Sequence, residues 1–505
     1  MNERSKTIAI IGAGASGTAC FLQLVLKYIV RQVKQPLSIH IFEKRNEFGE
    51  GLAFGTGQEG HLLNTKAGLM GIFPYERMHF VQWMHQNQEM IAKEFPQVSI
   101  HPDAYPPRML FGRYVQAMFN QYCEIAKEHG VDVQLVQDEV VDATIHRDNR
   151  VSLKTGSGRT HKANYAILAT GNPASNTFQK LAKQKRFFPS PWPSSRILSE
   201  ITDKTARVSI VGSSLTAIDA LITLIGNGHE GPISFFSLKG LLPRVQSPTE
   251  IPYIRKVLTL ANVRKHVREK QKSLRLTDLI RMFRSEAESY REEPLDWAAE
   301  EREDKDQLTL LEEDIALAAG KQCLLQNILY SLREETYDMW KLLPADQKLL
   351  FLKWMKPYFD INRHAMPMEN ALKIREVLRS GQLTIIGNTN DIEWKENRFV
   401  LTTEKGESSE ADYVINASGP AAIVEKIIDQ PLLPRLLKKK YIEEYAAGGI
   451  HADLDTLRVV TSSRKRPSPF YVIGHQLAGL QLDINAFWFN VEQSDLLSES
   501  LLKNI

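Results

Sequence analysis

A strand, a glycine turn, a helix and a second strand follow one another twice in this sequence, which predicts an α/β protein with two Rossmann-like domains. The first glycines of the two turns, Gly12 and Gly212, lie about 200 residues apart. Between the second unit and its later strands runs a long segment, residues 254–352, that is rich in Glu, Lys, Arg, Gln and Leu. Its apolar residues recur at helical spacing, so it predicts a helical insertion.

The first unit opens with the apolar run Thr7–Ile11, continues as a helical pattern to about Val33, and closes with the alternating strand Leu37–Phe42. A chain of 505 residues is too long for one hydrophobic core, and two or three domains fit it comfortably. The unit therefore belongs to one domain among several.

Three glycines follow the first strand with the GxGxxG spacing of a nucleotide-binding turn. Gly12 permits the tight turn, Gly14 lets the backbone approach a diphosphate, and Gly17 lets the helix pack on the sheet. The helix amino terminus then offers unpaired N–H groups to phosphate. Glu43 ends the next strand, where a carboxylate can accept hydrogen bonds from both ribose hydroxyls. The alternative is a plain turn without a ligand.

The second unit comprises the strand Arg207–Val211, a turn and helix, and the strand Ile233–Ser237. Serine replaces the middle glycine at Ser214 and can donate its hydroxyl to phosphate. No acid follows the second strand, while Lys239 and Arg244 could meet a 2′-phosphate, which favours NADPH and leaves NADH possible. A degenerate fold that binds nothing stays open as the alternative.

The composition excludes several classes of protein. Lys plus Arg number 63 and Asp plus Glu number 60, so the net charge of +3 gives no reason to expect a nucleic-acid partner. Three scattered cysteines provide no metal cluster, redox CxxC pair or disulfide framework. Neither a signal peptide nor a membrane span is expected, so the predicted location is the cytoplasm. A homo-oligomer stays open.

Several longer segments carry a specific resemblance. The chain is similar to a bacterial FAD-NAD(P)-binding family related to class B flavin-dependent monooxygenases. The segments that carry the resemblance are GEGLAFGTGQEGHLLNTKAGLMGIF (Gly49–Phe73), YPPRMLFGRYV (Tyr105–Val115), GSSLTAID from Gly212, LKGLLPR from Leu238, NRHAMP from Asn362 and NASGP from Asn416.

The resemblance implies FAD in the first domain and NADPH in the second. Expected FAD-binding residues are Gly12, Gly14, Ser16, Gly17, Glu43, Lys44, Leu63, Asn64, Arg108, Val141, Thr170, Gly171 and Gly474. Expected NADPH-binding residues are Gly212, Ser213, Ser214, Thr216, Lys239 and Arg244. The turns Ala169–Gly171 and Ala417–Gly419 would mark the crossings between the domains. The expected domains are 1–200 with 420–505 for FAD and 201–253 with 353–419 for NAD(P)H, the latter interrupted by the insertion 254–352.

Flavin-proximal candidates by the same resemblance are His61, Asn64 and His364, although no catalytic residue is identified. His61 could instead be a loop histidine that bonds backbone groups, and His364 a structural residue at a helix end. The Gly-Asp pair common in such folds is replaced by Gly474-His475, and Asp483 lies too far along the chain to substitute. The contact to the ribityl chain is therefore unassigned.

The reaction implied is that of a flavin monooxygenase, N-hydroxylase-like, which uses NADPH and O₂ on a small molecule. The Baeyer–Villiger fingerprint FxGxxxHxxxW is missing, and FFPSPWP (Phe187–Pro193) stands before the second turn. Two alternatives remain. One is a flavin reductase or dehydrogenase without oxygen transfer, and the other is a non-catalytic FAD-binding protein that docks a partner through the helical insertion.

Overall fold

A computed structural model describes residues 5–249, 251–291, 302–303 and 305–505. The chain divides into two compact units. The first comprises residues 1–56, 65–174 and 420–505, and the second comprises residues 57–64 and 175–419. Elements are numbered in chain order across both units.

The described part of the first unit contains eight strands and seven helices longer than a single 3₁₀ turn. These are β1 (Lys6–Ile11), α1 (Ala15–Val30), β2 (Leu37–Glu43), α2 (Gly51–Phe54), α3 (His79–Gln86), α4 (Gln88–Glu94), α5 (Arg108–Glu128), β3 (Asp132–Gln137), β4 (Val140–Ile145), β5 (Val151–Thr155), β6 (Thr160–Ala163), β7 (Tyr165–Leu168), α16 (Leu432–Lys438), β16 (Phe470–Val472) and α17 (Phe487–Leu502).

Five parallel strands form the centre of the first unit, in the order β16-β7-β1-β2-β3. The run from Ile8 to Ile11 in β1 is almost wholly buried, as expected for a strand covered on both faces. Helices α1 and α17 pack closely against each other. Strands β4, β5 and β6 form a separate antiparallel sheet.

The second unit contains the remaining strands and the helices of the insertion. These are β8 (Phe187–Phe188), α6 (Ser194–Glu200), β9 (Val208–Val211), α7 (Leu215–Gly226), β10 (Ile233–Phe236), α8 (Leu260–Lys270), α9 (Leu276–Arg291), α10 (Gln307–Ala319), α11 (Leu324–Ser331), α12 (Thr336–Leu342), α13 (Ala345–Leu350), α14 (Lys356–Arg363), α15 (Met368–Arg379), β11 (Leu383–Ile386), β12 (Thr389–Lys395), β13 (Arg398–Thr403), β14 (Ser408–Ala411) and β15 (Tyr413–Asn416).

The second unit repeats the architecture of the first. Its five parallel strands have the order β11-β10-β9-β15-β8, and β12, β13 and β14 form an antiparallel sheet. Strand β9 therefore corresponds to β1, β10 to β2, and β15 to β7. The predicted α/β class with two Rossmann-like domains is confirmed, and helices α8 to α13 lie within the predicted insertion.

The unit boundaries differ from the predicted domains in two places. Residues 175–200 belong to the second unit, because Phe187 and Phe188 pair with Val414 and Ile415 of β15. Residues 57–64 also belong to the second unit. Part of the predicted insertion, residues 292–301 and 304, lies outside the described residues.

Among the helices that the structure describes, none combines the length and apolar character needed to cross a membrane.

Candidate functional site

The first glycine turn lies at the carboxyl end of β1, where parallel sheets of this type bind ligands. Gly12 has φ +104°, and a methyl group on its Cα would lie 2.2 Å from the carbonyl oxygen of Ala169. A methyl group on Gly17 would lie 2.0 Å from the carbonyl oxygen of Gly12. Both glycines are therefore required by backbone packing within the unit.

Gly14 is different, because protein atoms leave more space beside it. A methyl group there would meet only the Cα of Gly51, at 3.3 Å. Gly51 opens α2 with φ +68°, so two glycines approach each other in front of the turn. Gly14 is also the N-cap of α1 and makes no side-chain cap. This open approach to a helix amino terminus suits the phosphate of a nucleotide.

Glu43 is buried at the end of β2 and bonds the glycine turn directly. Its Oε2 accepts the backbone N–H of Ala13 at 3.1 Å, and its Oε1 accepts that of Arg45 at 3.1 Å. The carboxylate is thus fixed beside the turn, which is the position from which an acid can accept ribose hydroxyls.

The turn after β7 contributes Thr170 and Gly171 to the same edge. Gln476 donates its amide to Thr170 Oγ1 at 3.0 Å and to the Gly171 carbonyl at 2.8 Å. Gln430 donates to the Thr170 carbonyl at 3.2 Å. Residues from the end of the chain thereby hold this turn in place next to Gly12.

Three other residues of the first unit that were expected to bind FAD lie on or beside different elements. Lys44 is half exposed, with its Nζ 3.9 Å from Glu139. Arg108 is the first residue of α5. The carbonyl oxygen of Val141 accepts a bond from Arg435 Nη1 at 2.9 Å, and the β4–β5 register shifts at Val141. Their contact with a cofactor stays a prediction.

The HLLN segment lies in the second unit, although the sequence placed it in the FAD domain. His61 is fully buried, and its Nε2 lies 2.9 Å from both the Asp219 carbonyl oxygen and Thr223 Oγ1 of α7. Gln246 donates to the Asn64 carbonyl at 2.8 Å, and Leu63 is buried. These bonds match the structural alternative for His61, and an approach to flavin stays a prediction.

The second glycine turn lies at the carboxyl end of β9. Gly212 has φ +108°, and a methyl group there would lie 2.7 Å from the Ala417 carbonyl oxygen. Ser213 donates its hydroxyl to the Leu241 carbonyl at 2.5 Å, with Ser237 Oγ 3.1 Å away. Ser214, the exposed N-cap of α7, makes no side-chain cap, and Thr216 lies in the first turn of that helix.

The two basic candidates of the second unit both have acidic partners. Lys239 Nζ lies 2.9 Å from Glu303 Oε2, and this bond raises the pKa of Lys239 despite opposing burial. Arg244 lies 3.8 Å from the buried Asp314, which also pairs with Arg302 at 2.6 Å. Burial raises the pKa of Asp314, against the two arginines. A phosphate would therefore compete with Glu303 for Lys239.

His364 lies at the carboxyl end of α14, where its Nδ1 is 3.3 Å from Asp360 Oδ1. Burial would raise the pKa of Asp360, but His364 and Lys356 outweigh burial and lower it. The neighbouring Arg363 is buried over the ring of Tyr330, 5.7 Å from its centroid. These contacts match the structural role left open for His364.

A family model matches the segment that contains the first glycine turn. Residues 9–173 match the family model described as FAD-NAD(P)-binding. The match spans the first glycine turn, Glu43 and the Thr170–Gly171 turn, so the FAD-NAD(P)-binding character predicted from the sequence is confirmed for this segment.

Comparison with solved structures extends the likeness to the whole chain, at the level of fold. The ornithine hydroxylase of Pseudomonas aeruginosa is 14% identical, with a TM-score of 0.59 and 99% of each chain covered. The ornithine N-hydroxylase of Kutzneria sp. 744 is 14% identical, with a TM-score of 0.58 over 99% of this chain and 100% of the other. The L-lysine 6-monooxygenase of Pseudomonas syringae is 15% identical, with a TM-score of 0.57 and 99% of each covered.

One curated relative also spans most of the chain. The uncharacterized protein YdhS of Escherichia coli K12 is 22% identical over 481 residues, which is 86% of this chain and 87% of the relative.

Proposed function

We propose that this protein is an FAD- and NADPH-dependent monooxygenase that hydroxylates a nitrogen atom of a small molecule with O₂. The observation that carries the proposal is the pair of glycine turns at the carboxyl edges of two like-ordered parallel sheets. Full-length similarity in fold to ornithine and lysine hydroxylases supports the choice of reaction. A cytoplasmic location is part of this proposal, and a homo-oligomer is compatible with it.

The first unit would hold FAD through groups already arranged for it. The amino terminus of α1 and the approach beside Gly14 suit the diphosphate, and the fixed carboxylate of Glu43 suits the ribose. Thr170 and Gly171 would line the same edge. When bound, FAD would supply the redox chemistry that links NADPH to O₂.

The second unit would hold NADPH at the Gly212 turn. Ser214 stands exposed at the head of α7, where its hydroxyl can donate to phosphate. Lys239 would exchange Glu303 for the 2′-phosphate, which carries more charge than a carboxylate. Arg244 would add positive charge from its place beside Asp314.

The test is made with the purified protein and its visible spectrum. Flavin bleaching is followed under anaerobic conditions after addition of NADPH or NADH, and oxygen is then admitted with L-ornithine, L-lysine or other small amines. The proposal expects faster bleaching by NADPH and a hydroxylated product from at least one amine, detected by mass spectrometry. If no amine is hydroxylated, O₂ yields only hydrogen peroxide, and the reduced flavin also passes its electrons to another acceptor, the protein is a reductase. Bound FAD that neither nucleotide bleaches would establish the non-catalytic alternative.

A further inference from the structure

A small polar niche lies at the carboxyl edge of the first sheet, beside Gly474. This glycine follows β16 with φ +78°. A methyl group on its Cα would lie 3.5 Å from Ser16 Oγ and 4.0 Å from Asn490 Oδ1. The glycine, the hydroxyl and the amide oxygen come from three different elements of the same unit and meet at one place.

The side-chain amide of Asn490 is oriented by a hydrogen bond to the segment that precedes α17. Its Nδ2 donates to the Ile484 carbonyl at 2.8 Å, and reversing the amide would place two oxygens together. The oxygen atom is thereby fixed on the other side. Oδ1 is buried and has no hydrogen-bond partner among the described residues, and the residue as a whole is only 6% exposed. A buried acceptor without a partner destabilises the folded protein. Its presence here therefore indicates that a donor group of a ligand binds to it.

Ser16 lies two residues after Gly14, in the first turn of α1. Its hydroxyl makes no hydrogen bond to another residue in the described part of the chain, and it is only partly buried. A hydroxyl can donate and accept, whereas the Asn490 oxygen can only accept. The niche therefore suits a ligand that carries several hydroxyl groups.

The residue after Gly474 does not supply the acidic acceptor found in related folds. His475 is buried, and its Nε2 lies 3.0 Å from the carbonyl oxygen of Ala421. A second amide oxygen, Gln481 Oε1, is also buried and unpaired among the described residues. The amide nitrogen of Gln481 donates to Gln493, three residues after Asn490 on α17. Asn490 on α17 and Gln481 in the segment before that helix thus present acceptors where the turn itself does not.

We propose that Asn490 Oδ1 and Ser16 Oγ bind the ribityl hydroxyls of FAD and so replace the missing acid. The inference rests on the proposed binding of FAD to the first unit. A phosphate oxygen cannot satisfy an amide oxygen because both are acceptors, whereas a ribityl hydroxyl can. The ribityl chain is joined to the diphosphate, and Ser16 stands directly after the glycine that leaves room for a diphosphate.

The experiment uses apoprotein titrated with FAD and with FAD analogues that lack single ribityl hydroxyls, followed by flavin fluorescence. Wild type is expected to bind at least one deoxy analogue about tenfold more weakly than FAD, which corresponds to about 1.4 kcal/mol. In Asn490→Ala, FAD and that analogue should bind equally, each about tenfold more weakly than FAD binds wild type. Asn504→Ala is the matched control, because Asn504 also donates its amide to a carbonyl, that of Ser500, but is exposed.

The outcomes separate this inference from the proposed function. If removal of each ribityl hydroxyl lowers the affinity of wild type and of Asn490→Ala by the same factor, the ribityl assignment is wrong although FAD binding stands. If wild type takes up no FAD, the proposed function itself fails. Ser16→Ala provides a second measurement with the same analogues, which decides the matter should Asn490→Ala not fold.

Discussion

The two parallel sheets share one strand order, yet the residue that ends the second strand of each unit differs in charge. Ile11 pairs with Phe42 in the first sheet, and Val211 pairs with Phe236 in the second. The next residues, Glu43 and Ser237, therefore occupy equivalent positions. A carboxylate bonds the first turn, and a hydroxyl lies 3.1 Å from Ser213 of the second. The comparison teaches that two sheets of the same strand order can differ in charge at the one position from which an acid can accept ribose hydroxyls.

The glycine turns themselves differ in what fills the middle position. Gly14 faces Gly51 and leaves the backbone bare, whereas Ser214 adds a hydroxyl at the head of α7. In both units the first glycine packs on the carbonyl that follows a neighbouring strand, Ala169 or Ala417. The packing role of the first glycine is thus common to both units, and the units diverge at the middle position of the turn.

The largest expected effect comes from placing a methyl group in either turn. Gly12→Ala should lose about 4 kcal/mol of stability, because a φ of +104° and a 2.2 Å approach combine strain with overpacking. FAD content and the melting temperature measure the loss. Gly212→Ala should keep FAD but lose reduction by NADPH.

Gly226→Ala is the control for both variants, because its added methyl meets no atom within 4 Å beyond its chain neighbours and the backbone of its own helix, and its φ is not positive. Equal FAD contents in Gly12→Ala and Gly226→Ala would contradict the packing role of Gly12.

An acid placed at the second equivalent position should reverse the choice of nucleotide. Ser237→Asp puts a negative charge near the proposed 2′-phosphate and can still accept the Gly240 N–H, now 3.0 Å from Ser237 Oγ. Repulsion is expected to lower kcat/KM for NADPH about 100-fold and to spare NADH. Stopped-flow flavin reduction measures both. Ser408→Asp, on an exposed edge of the same unit, should change neither.

Removing the charge at the first position should weaken FAD binding more modestly. Glu43→Gln leaves one oxygen for two backbone donors, Ala13 and Arg45, and loses the charge-assisted bonds to ribose. The dissociation constant of FAD should rise about tenfold, as read from flavin fluorescence. The exposed Glu47→Gln serves as control. An unchanged dissociation constant would refute the ribose assignment of Glu43.

The smallest effect concerns the helical insertion, which the second unit carries and the first lacks. Burial lowers the pKa of Lys348 in α13 from 10.5 to about 8. Between pH 8 and 10.5 the unfolded chain binds a proton that the folded chain has released, so stability rises with pH in that window. Lys348→Met should remove this rise, about 1 kcal/mol after screening. Urea unfolding at pH 7.5 and at pH 10 measures the free energy of unfolding of both proteins. An equal change in that free energy between the two pH values in wild type and in Lys348→Met would contradict the burial of the charge.

Much of the scaffold could be predicted because its signals are local. Buried strands appear as short apolar runs, and the glycine spacing identifies both turns, so β1, β2, β9 and β10 were predicted to within one or two residues. Residues 57–64 were placed in the wrong unit, because the bonds of His61 to α7 join residues more than 150 positions apart. No local pattern signals such a pairing.

In the candidate site, too, features with a local signal could be predicted and contacts between distant residues could not. Glu43 could be recognised from its place after a strand, but its bond to Ala13 depends on how the turn folds back over β2. The binding of nucleotide by Ser213 stays a prediction, and the bond of its hydroxyl to the Leu241 carbonyl could not be foreseen from the sequence. Asn490 escaped notice entirely, since an asparagine inside an amphipathic helix carries no signal until its neighbours are known.

The sequence by itself determined the duplicated strand–turn–helix scaffold, the glycines of both turns and the charge at the end of each second strand, because these depend on backbone sterics and on residues close together in the chain. The tertiary structure alone decided which side chains are already paired and which are orphaned, as with Lys239 and Asn490. Pairing is a property of atoms brought together from distant segments, so it exists only after the chain has folded.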